Sequence, residues 1–126
     1  MCSVTRSVVS KFLLEVKTTL QKTDRKNPTW TLSTVREKNL ATLSELEMKV
    51  QAVRDVILSL TPENYCAGPL KDRTFKGELW EFGTVVKGSE VYIKIKLTTD
   101  KHGSSVRVLS FHRPERPLAY YFREQL

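Results

Sequence analysis

One short segment of the chain, residues 91–97, alternates strictly between apolar and polar side chains. It reads Val-Tyr-Ile-Lys-Ile-Lys-Leu, which is the pattern of a half-buried β-strand. Because successive side chains of a strand point to opposite faces, Tyr92, Lys94 and Lys96 should share one face, about 7 Å from one to the next. An ordinary solvated sheet face would also explain the lysines, but tyrosine is an unusual residue for a purely solubilising position.

Further basic side chains should lie close to this face. The next predicted strand ends in His112, which is followed by Arg113, and antiparallel pairing would bring both near Tyr92 or Lys94. Across residues 91–113 there are five Lys and Arg residues against a single acidic residue. The loop before the sheet adds three more cations, Lys71, Arg73 and Lys76. The sequence therefore predicts a cationic face that also holds an aromatic hydroxyl and an imidazole.

This set of side chains suits the phosphodiester of RNA. Lysine and arginine hold a phosphate and stabilise the added charge of its pentacoordinate transition state. Tyr92 or His112 would act as acid or base toward the ribose 2′-hydroxyl and the leaving 5′-oxygen, and imidazole suits this best because it titrates near neutral pH. Glu78, which should face away from Glu81 on its strand, stays open as a further base. The chemistry requires no metal or cofactor, and no Cys/His spacing resembles a zinc site.

The composition limits the class of protein. The chain has 126 residues, of which 40% are hydrophobic and 28% charged, with a formal net charge of +7. We expect one domain over residues 1–126, and the positive charge favours an acidic partner such as nucleic acid, although many basic domains are merely soluble. No apolar run approaches the ~20 residues that span a bilayer, and no signal sequence is recognisable, so we expect no membrane partner and a cytoplasmic location. Motifs of P-loop ATPases, α/β-hydrolases and zinc proteases are absent.

The first half of the chain, residues 1–60, is predicted to be mainly helical. Apolar residues recur at helical spacing over residues 7–22, which predicts an amphipathic helix. A second apolar stripe over residues 35–60 fits either one long helix or two shorter helices that meet near residues 47–49. The short β-prone run at residues 29–32 is a candidate edge strand.

The second half of the chain changes to a period of two. After a predicted loop over residues 61–77, antiparallel strands are expected within residues 78–112, and an apolar tail over residues 113–126 should dock on the body. The strands are predicted at residues 78–86, 90–98 and 105–112. Helices first and strands later indicate an α+β fold, an antiparallel meander with two to three N-terminal helices packed on one face.

Several blocks of sequence also resemble a known family in serial order. They lie between about residues 35 and 112, and the clearest are Val-Tyr-Ile-Lys at 91–94 and Leu-Ser-Phe-His at 109–112. In this order they resemble the MqsR-type toxins of bacterial type II toxin–antitoxin systems, within the RelE-like fold group. The resemblance implies a metal-independent endoribonuclease that cuts mRNA and inhibits translation and growth. It implies a cognate antitoxin protein as partner and leaves open whether the ribosome takes part.

The resemblance also assigns roles to individual residues. Tyr92 matches the strand tyrosine of the family and Lys94 the neighbouring lysine, while His112 stands where the best-known members have a lysine. Another family lysine falls on Cys66, so a cation a few residues further on would have to supply that charge. We therefore expect catalysis by Tyr92, His112 and Lys94. Substrate binding is expected from Lys71, Arg73, Lys76, Lys96 and Arg113.

The residues also permit a second interpretation, a non-catalytic protein. In that case the Lys-rich sheet face would bind RNA or a host protein without cutting it. The two interpretations differ in whether the purified chain cleaves single-stranded RNA.

Overall fold

The computed structural model describes residues 4–22, 28–101 and 103–123, and within them the chain forms three α-helices and five strands. The helices are α1 (Arg6–Gln21), α2 (Glu37–Glu45) and α3 (Val50–Leu58). The strands are β1 (Trp30–Leu32), β2 (Tyr65–Lys71), β3 (Glu78–Val86), β4 (Ser89–Asp100) and β5 (Gly103–His112). The predicted α+β class is confirmed, and the three predicted strands match β3, β4 and β5 closely.

All five strands form one mixed sheet in the order β1-β5-β4-β3-β2. Strands β2 to β5 are an antiparallel meander, and the short edge strand β1 pairs in parallel with β5. The predicted loop over residues 61–77 was wrong in part, because residues 65–71 form strand β2. Its alternation is hidden by Gly68 and Pro69, and its pairing with β3 shifts register twice. An edge strand tolerates a proline because its outward N–H needs no partner in the sheet.

The apolar stripe over residues 35–60 forms two helices rather than one. Helix α2 ends where Glu47 adopts a left-handed backbone with a φ of 52°, and the Met48 N–H donates to the Leu43 carbonyl at 2.8 Å. This closes the helix and lets α3 start in a new direction. At its other end α2 begins at Glu37. Arg36, the residue immediately before the helix, has an extended backbone.

The core lies between the helices and one face of the sheet. Val91, Ile93 and Ile95 of β4 are fully buried, as the alternation of this strand predicts. Helices α1 and α2 contact β5, and α1 also contacts α3. The core positions on these helices are Val9, Leu13, Val16, Leu20, Leu43, Val53 and Ile57.

The opposite face of the sheet, here called the outer face, is crossed by the tail that follows β5. Leu118 and Tyr120 lie directly on Gly83 of β3, and the Tyr120 hydroxyl donates to a Glu90 carboxylate oxygen at 2.7 Å. The tail then turns over the β2 edge, where Phe122 joins the core beside Tyr65. Residues 113–123 of the tail thus dock on the body as predicted and cover one end of the outer face, whereas residues 124–126 lie outside the described residues.

Replacing Gly83 with alanine should destabilise the chain, because the added methyl group would meet the tail. A Cβ atom at this position would lie 2.5 Å from Leu118 Cδ1 and 2.7 Å from Tyr120 Oη. Overpacking of this kind typically costs about 1–3 kcal/mol, so we expect urea denaturation to show a loss of that size in the free energy of unfolding. Leu118→Ala should cost less in the Gly83→Ala chain than in the wild type. Equal costs in the two backgrounds would show that the tail does not oppose the methyl group.

Candidate active site

A cavity of about 680 Å³ opens on the outer face, between the sheet and the tail. Strand β4 contributes Tyr92 and Lys94 to its lining, and β5 contributes Ser110 and His112. The remaining walls are residues 36–38 at the start of α2 and residues 114–118 of the tail. The three predicted catalytic residues therefore lie in one cavity.

The pairing of β4 with β5 brings these side chains together. Tyr92 lies opposite His112 in the register, with ring centroids 5.4 Å apart, and Lys94 lies opposite Ser110. Between Lys94 and Ile95 the register skips Leu109, which forms a β-bulge in β5. One extra residue reverses the side-chain alternation. Residues 106 and 108 therefore face the core, whereas residues 110 and 112 face the cavity.

The bulge is held by a fully buried asparagine of α2, Asn39. Its side-chain amide donates to the Leu109 carbonyl at 3.2 Å and to the Ser33 carbonyl at 2.9 Å, and its carbonyl oxygen accepts from the Phe111 N–H at 2.9 Å. These bonds replace the sheet partners that the bulge disrupts. Asn39 therefore positions His112 without contacting the cavity, a role that the sequence analysis missed.

His112 is arranged to accept a proton. Its Nδ1 lies 2.8 Å from the backbone oxygen of Arg113. Since a carbonyl oxygen only accepts hydrogen bonds, Nδ1 carries the hydrogen in the neutral ring, and Nε2 has the free lone pair. The imidazole is half-buried at the cavity wall.

Tyr92 is arranged to donate a hydrogen bond. Its hydroxyl bonds to the carboxylate of Glu81, the residue opposite Lys94 on β3. Burial, and after it the hydrogen bond with Glu81, raise the pKa of Tyr92 above the usual value. The hydroxyl is therefore protonated at neutral pH and unsuited to act as a base. Glu81, rather than the exposed Glu78, is the β3 carboxylate that contacts a candidate catalytic residue.

Three basic residues outside the predicted set line the cavity, namely Arg36, Lys38 and Arg116. The guanidinium of Arg36 donates to the Ser110 hydroxyl at 3.4 Å, and Lys38 forms an ion pair with Glu115 of the tail. With Lys94 the lining has four basic residues against two acidic ones, Glu37 and Glu115. The cavity is thus positive on balance, and half of its acidic charge is already paired.

The five predicted substrate-binding residues lie outside the cavity lining. Arg113 pairs with Glu45 of α2, at 3.3 Å. Lys96 faces outward as predicted but is only 6% exposed, because its ammonium group bonds to the Asp72 carboxylate at 2.7 Å. Its predicted contact with substrate is therefore corrected, since a buried, paired ammonium is not available to a phosphate. Lys71, Arg73 and Lys76 are exposed at the end of β2 and in the loop of residues 72–77 that follows it.

The ion pair between Lys96 and Asp72 fixes that loop to the outer face. Asp72 also accepts the backbone N–H groups of Thr74 and Phe75, at 2.9 and 3.1 Å. A Cβ atom at Gly77 would lie 2.8 Å from Lys96 Cε, so the loop backbone packs closely on the lysine stem. These contacts hold the loop against the outer face at Lys96.

Removing the amide of Asn39 should destabilise the chain. Asn39→Leu leaves the Phe111 N–H and the Leu109 carbonyl buried without this partner, and each such group typically costs about 1–3 kcal/mol. We expect a loss of that order or more in the free energy of unfolding, measured by urea denaturation. Ser44→Ala, at an exposed position of the same helix, should leave it nearly unchanged. Equal stability of the two variants would contradict the role assigned to Asn39.

Acid should weaken the loop through Asp72. Its hydrogen bond from Lys96, followed by those from the backbone of Phe75 and Thr74, lowers the pKa of Asp72 to about 2. An aspartate in an unfolded chain titrates near ~3.9. Because the folded value is the lower one, the stabilisation is complete above the unfolded value and is lost as the pH falls toward 2.

The matching variant is Asp72→Asn. It should lower the free energy of unfolding at neutral pH, and its difference from the wild type should shrink as the pH falls from about 5 to about 2. Asp55→Asn, at an exposed carboxylate of α3, serves as the control for loss of one negative charge. A difference between Asp72→Asn and wild type that stays constant over this range would contradict the assignment.

Comparisons with known proteins identify no family for this chain. No protein-family model, no curated protein and no solved structure matches the chain. Within the described ranges no helix is long and apolar enough to cross a membrane. The same residues contain no group of three or more His, Cys, Asp or Glu side chains that could hold a metal ion.

Proposed function

We propose that the chain is an endoribonuclease that cuts mRNA in the cytoplasm and thereby inhibits translation. The observation that supports this most directly is the meeting of His112, Lys94 and Tyr92 in one positively charged cavity. The resemblance to the MqsR-type toxins points to the same three residues. The α+β meander is compatible with a RelE-like fold. On this proposal the chain is the toxin of a type II toxin–antitoxin pair, and a cognate antitoxin protein neutralises it.

The proposed reaction is a transesterification within the RNA. His112 Nε2 takes the proton of a ribose 2′-hydroxyl, and the 2′-oxygen forms a bond to the adjacent phosphorus. The bond from phosphorus to the 5′-oxygen breaks, and that oxygen takes a proton from solvent. The products are a 2′,3′-cyclic phosphate and a 5′-hydroxyl.

Three further groups would assist this reaction. Lys94 lines the same cavity as His112 and would stabilise the charge that grows on the phosphate oxygens. Arg36 and Arg116 would hold the flanking phosphates, because arginine binds phosphate with two parallel hydrogen bonds. Tyr92, whose hydroxyl hydrogen is donated to Glu81, would orient the sugar through its ring and through the acceptor lone pair of its oxygen. The cavity volume lies within the ~300–1,000 Å³ that ligand sites usually have.

A non-catalytic binder that uses an open Lys-rich sheet face is less well supported. The tail covers Gly83 and Glu90 at one end of the outer face, and the loop at residues 72–77 covers Lys96 at the other. The lysine that stays accessible, Lys94, lies inside the cavity. A recessed basic cavity with an imidazole favours chemistry on a phosphodiester over contact with a broad surface.

The proposal predicts that removing the base and removing the cation each lower the rate of RNA cleavage. His112→Ala should lower the rate of RNA cleavage by about 10²–10⁴-fold, because the 2′-hydroxyl loses its base. Lys94→Met should lower it by about 10²–10³-fold through loss of transition-state stabilisation. Lys101→Ala removes the same charge from the β4–β5 turn and should cleave RNA as fast as the wild type.

The measurement is mapping of RNA 5′ ends with the purified chain, alone and with ribosomes. Cyclic phosphate ends with the wild type, and their loss in His112→Ala, are the expected results. Intact RNA under both conditions would refute cleavage and leave the non-catalytic interpretation. Unchanged cleavage by His112→Ala would refute the role of the imidazole.

A further inference from the structure

The loop of residues 72–77 presents an exposed aromatic ring between two exposed cations. Phe75 is 70% exposed, which makes it the most exposed aromatic side chain among the described residues. Arg73 and Lys76 lie on either side of it in the sequence, and both are exposed. An aromatic ring next to cations is the combination with which proteins bind single-stranded nucleic acid, because bases stack on the ring and the cations contact phosphates.

The ring is held in place although it is exposed. The Phe75 N–H bonds to Asp72 at 3.1 Å, and the ammonium of Lys96 lies 5.7 Å from the ring centroid, over one face. The ion pair therefore holds the loop backbone and places an ammonium group against one face of the ring. Most of the remaining ring surface is open to solvent. A ring ordered before binding loses little conformational entropy when a base stacks on it.

The charge around Phe75 favours a nucleic acid over a protein as partner. Asp72, the one acidic residue within the loop, is already paired with Lys96, so the exposed loop charges are those of Arg73 and Lys76. Glu78 lies at the foot of the loop, opposite Lys71 in the β2–β3 register. The loop therefore presents two exposed positive charges to a partner, and these suit the phosphates of a nucleic acid.

The position of the loop connects it to the cavity. Lys94 in the cavity and Lys96 beneath the loop are two residues apart on the same face of β4, about 7 Å along the strand. If the scissile phosphate of an RNA strand lies beside Lys94, a neighbouring nucleotide of the same strand would therefore lie against the loop. Duplex RNA could not offer an unstacked base at this point.

We propose that Phe75 stacks on a base of single-stranded RNA while Arg73 and Lys76 contact its backbone, which makes the loop a second subsite beside the cavity. The identity of the ligand rests on the proposed function, since it is the same RNA strand. The subsite selects single strands over duplexes and adds affinity without contributing a group to the reaction.

The test is binding of a short 2′-O-methyl RNA, which lacks the hydroxyl needed for cleavage, measured by fluorescence anisotropy. Phe75→Leu keeps an apolar side chain but removes the ring, and it should weaken binding by roughly 10-fold or more. Phe75→Trp should bind at least as well as the wild type. Leu14→Ala, at a 66% exposed position of α1, is the control for loss of an exposed apolar group and should bind normally. Arg73→Ala should reduce the slope of log Kd against log salt concentration by the amount that corresponds to about one phosphate contact.

These experiments can refute the stacking subsite and the nuclease activity independently of each other. Unchanged binding by Phe75→Leu would overturn the stacking subsite, whatever the result for cleavage, and would leave a protein as the partner of the loop. Equal affinity of the wild type for the single strand and its duplex would also overturn it. Binding that depends on Phe75 in a chain that cuts no RNA would support the subsite and refute the nuclease. Cleavage assays of Phe75→Leu, with activity retained at saturating RNA, would confirm that the ring acts on binding.

Discussion

The amide of Asn39 and the bulge that it holds decide which way the end of β5 faces. Residues 106, 108, 110 and 112 would all point to one side of an unbroken strand, because side chains alternate strictly. The extra residue Leu109 splits this set, so the first two remain in the core and the last two enter the cavity. Asn39 supplies the hydrogen bonds that the bulge lacks, and it does so from α2. The packing of one helix against the sheet edge therefore places the imidazole.

Strand β4 arranges the rest of the outer face in order. Its outward residues Glu90, Tyr92, Lys94 and Lys96 follow one another at strand spacing, and each has a different task. The tail contacts Glu90 and the loop contacts Lys96, so both ends of this run of four residues are covered. Only the stretch between them opens into the cavity. The alternation that buries the apolar residues of β4 thus also leaves Tyr92 and Lys94 as the β4 residues that line the cavity.

The sequence predicted what depends on local pattern and missed what depends on distant partners. The strand periods followed from alternation, and antiparallel pairing alone brought the end of β5 near Tyr92. That His112 lies directly opposite Tyr92 also required the bulge at Leu109, which the local pattern does not show. The burial of Lys96 could not be foreseen, because it requires a carboxylate 24 positions away that the chain brings over it only once β2 and the loop are folded. The places of Arg36 and Arg116 in the cavity lining were missed for the same reason. Arg36 lies at the start of a helix and Arg116 in the tail, and no sequence periodicity relates either segment to the strands. Strand β2 was missed because Gly68 and Pro69 have the local signature of a loop.

The tail is attached unevenly, which makes the cavity wall the weaker part of the site. Phe122 is 7% exposed in the core, and burial of such a side chain contributes roughly 1.5–3 kcal/mol. Over the cavity the tail is held by two ion pairs with α2, Lys38 with Glu115 and Arg113 with Glu45, whose side chains are all more than half exposed. Exposed pairs of this kind contribute only about 0–1 kcal/mol each and weaken further with salt. Phe122, together with the contacts of Leu118 and Tyr120 on the sheet, therefore anchors the tail, and the ion pairs near Arg116 add little to its attachment.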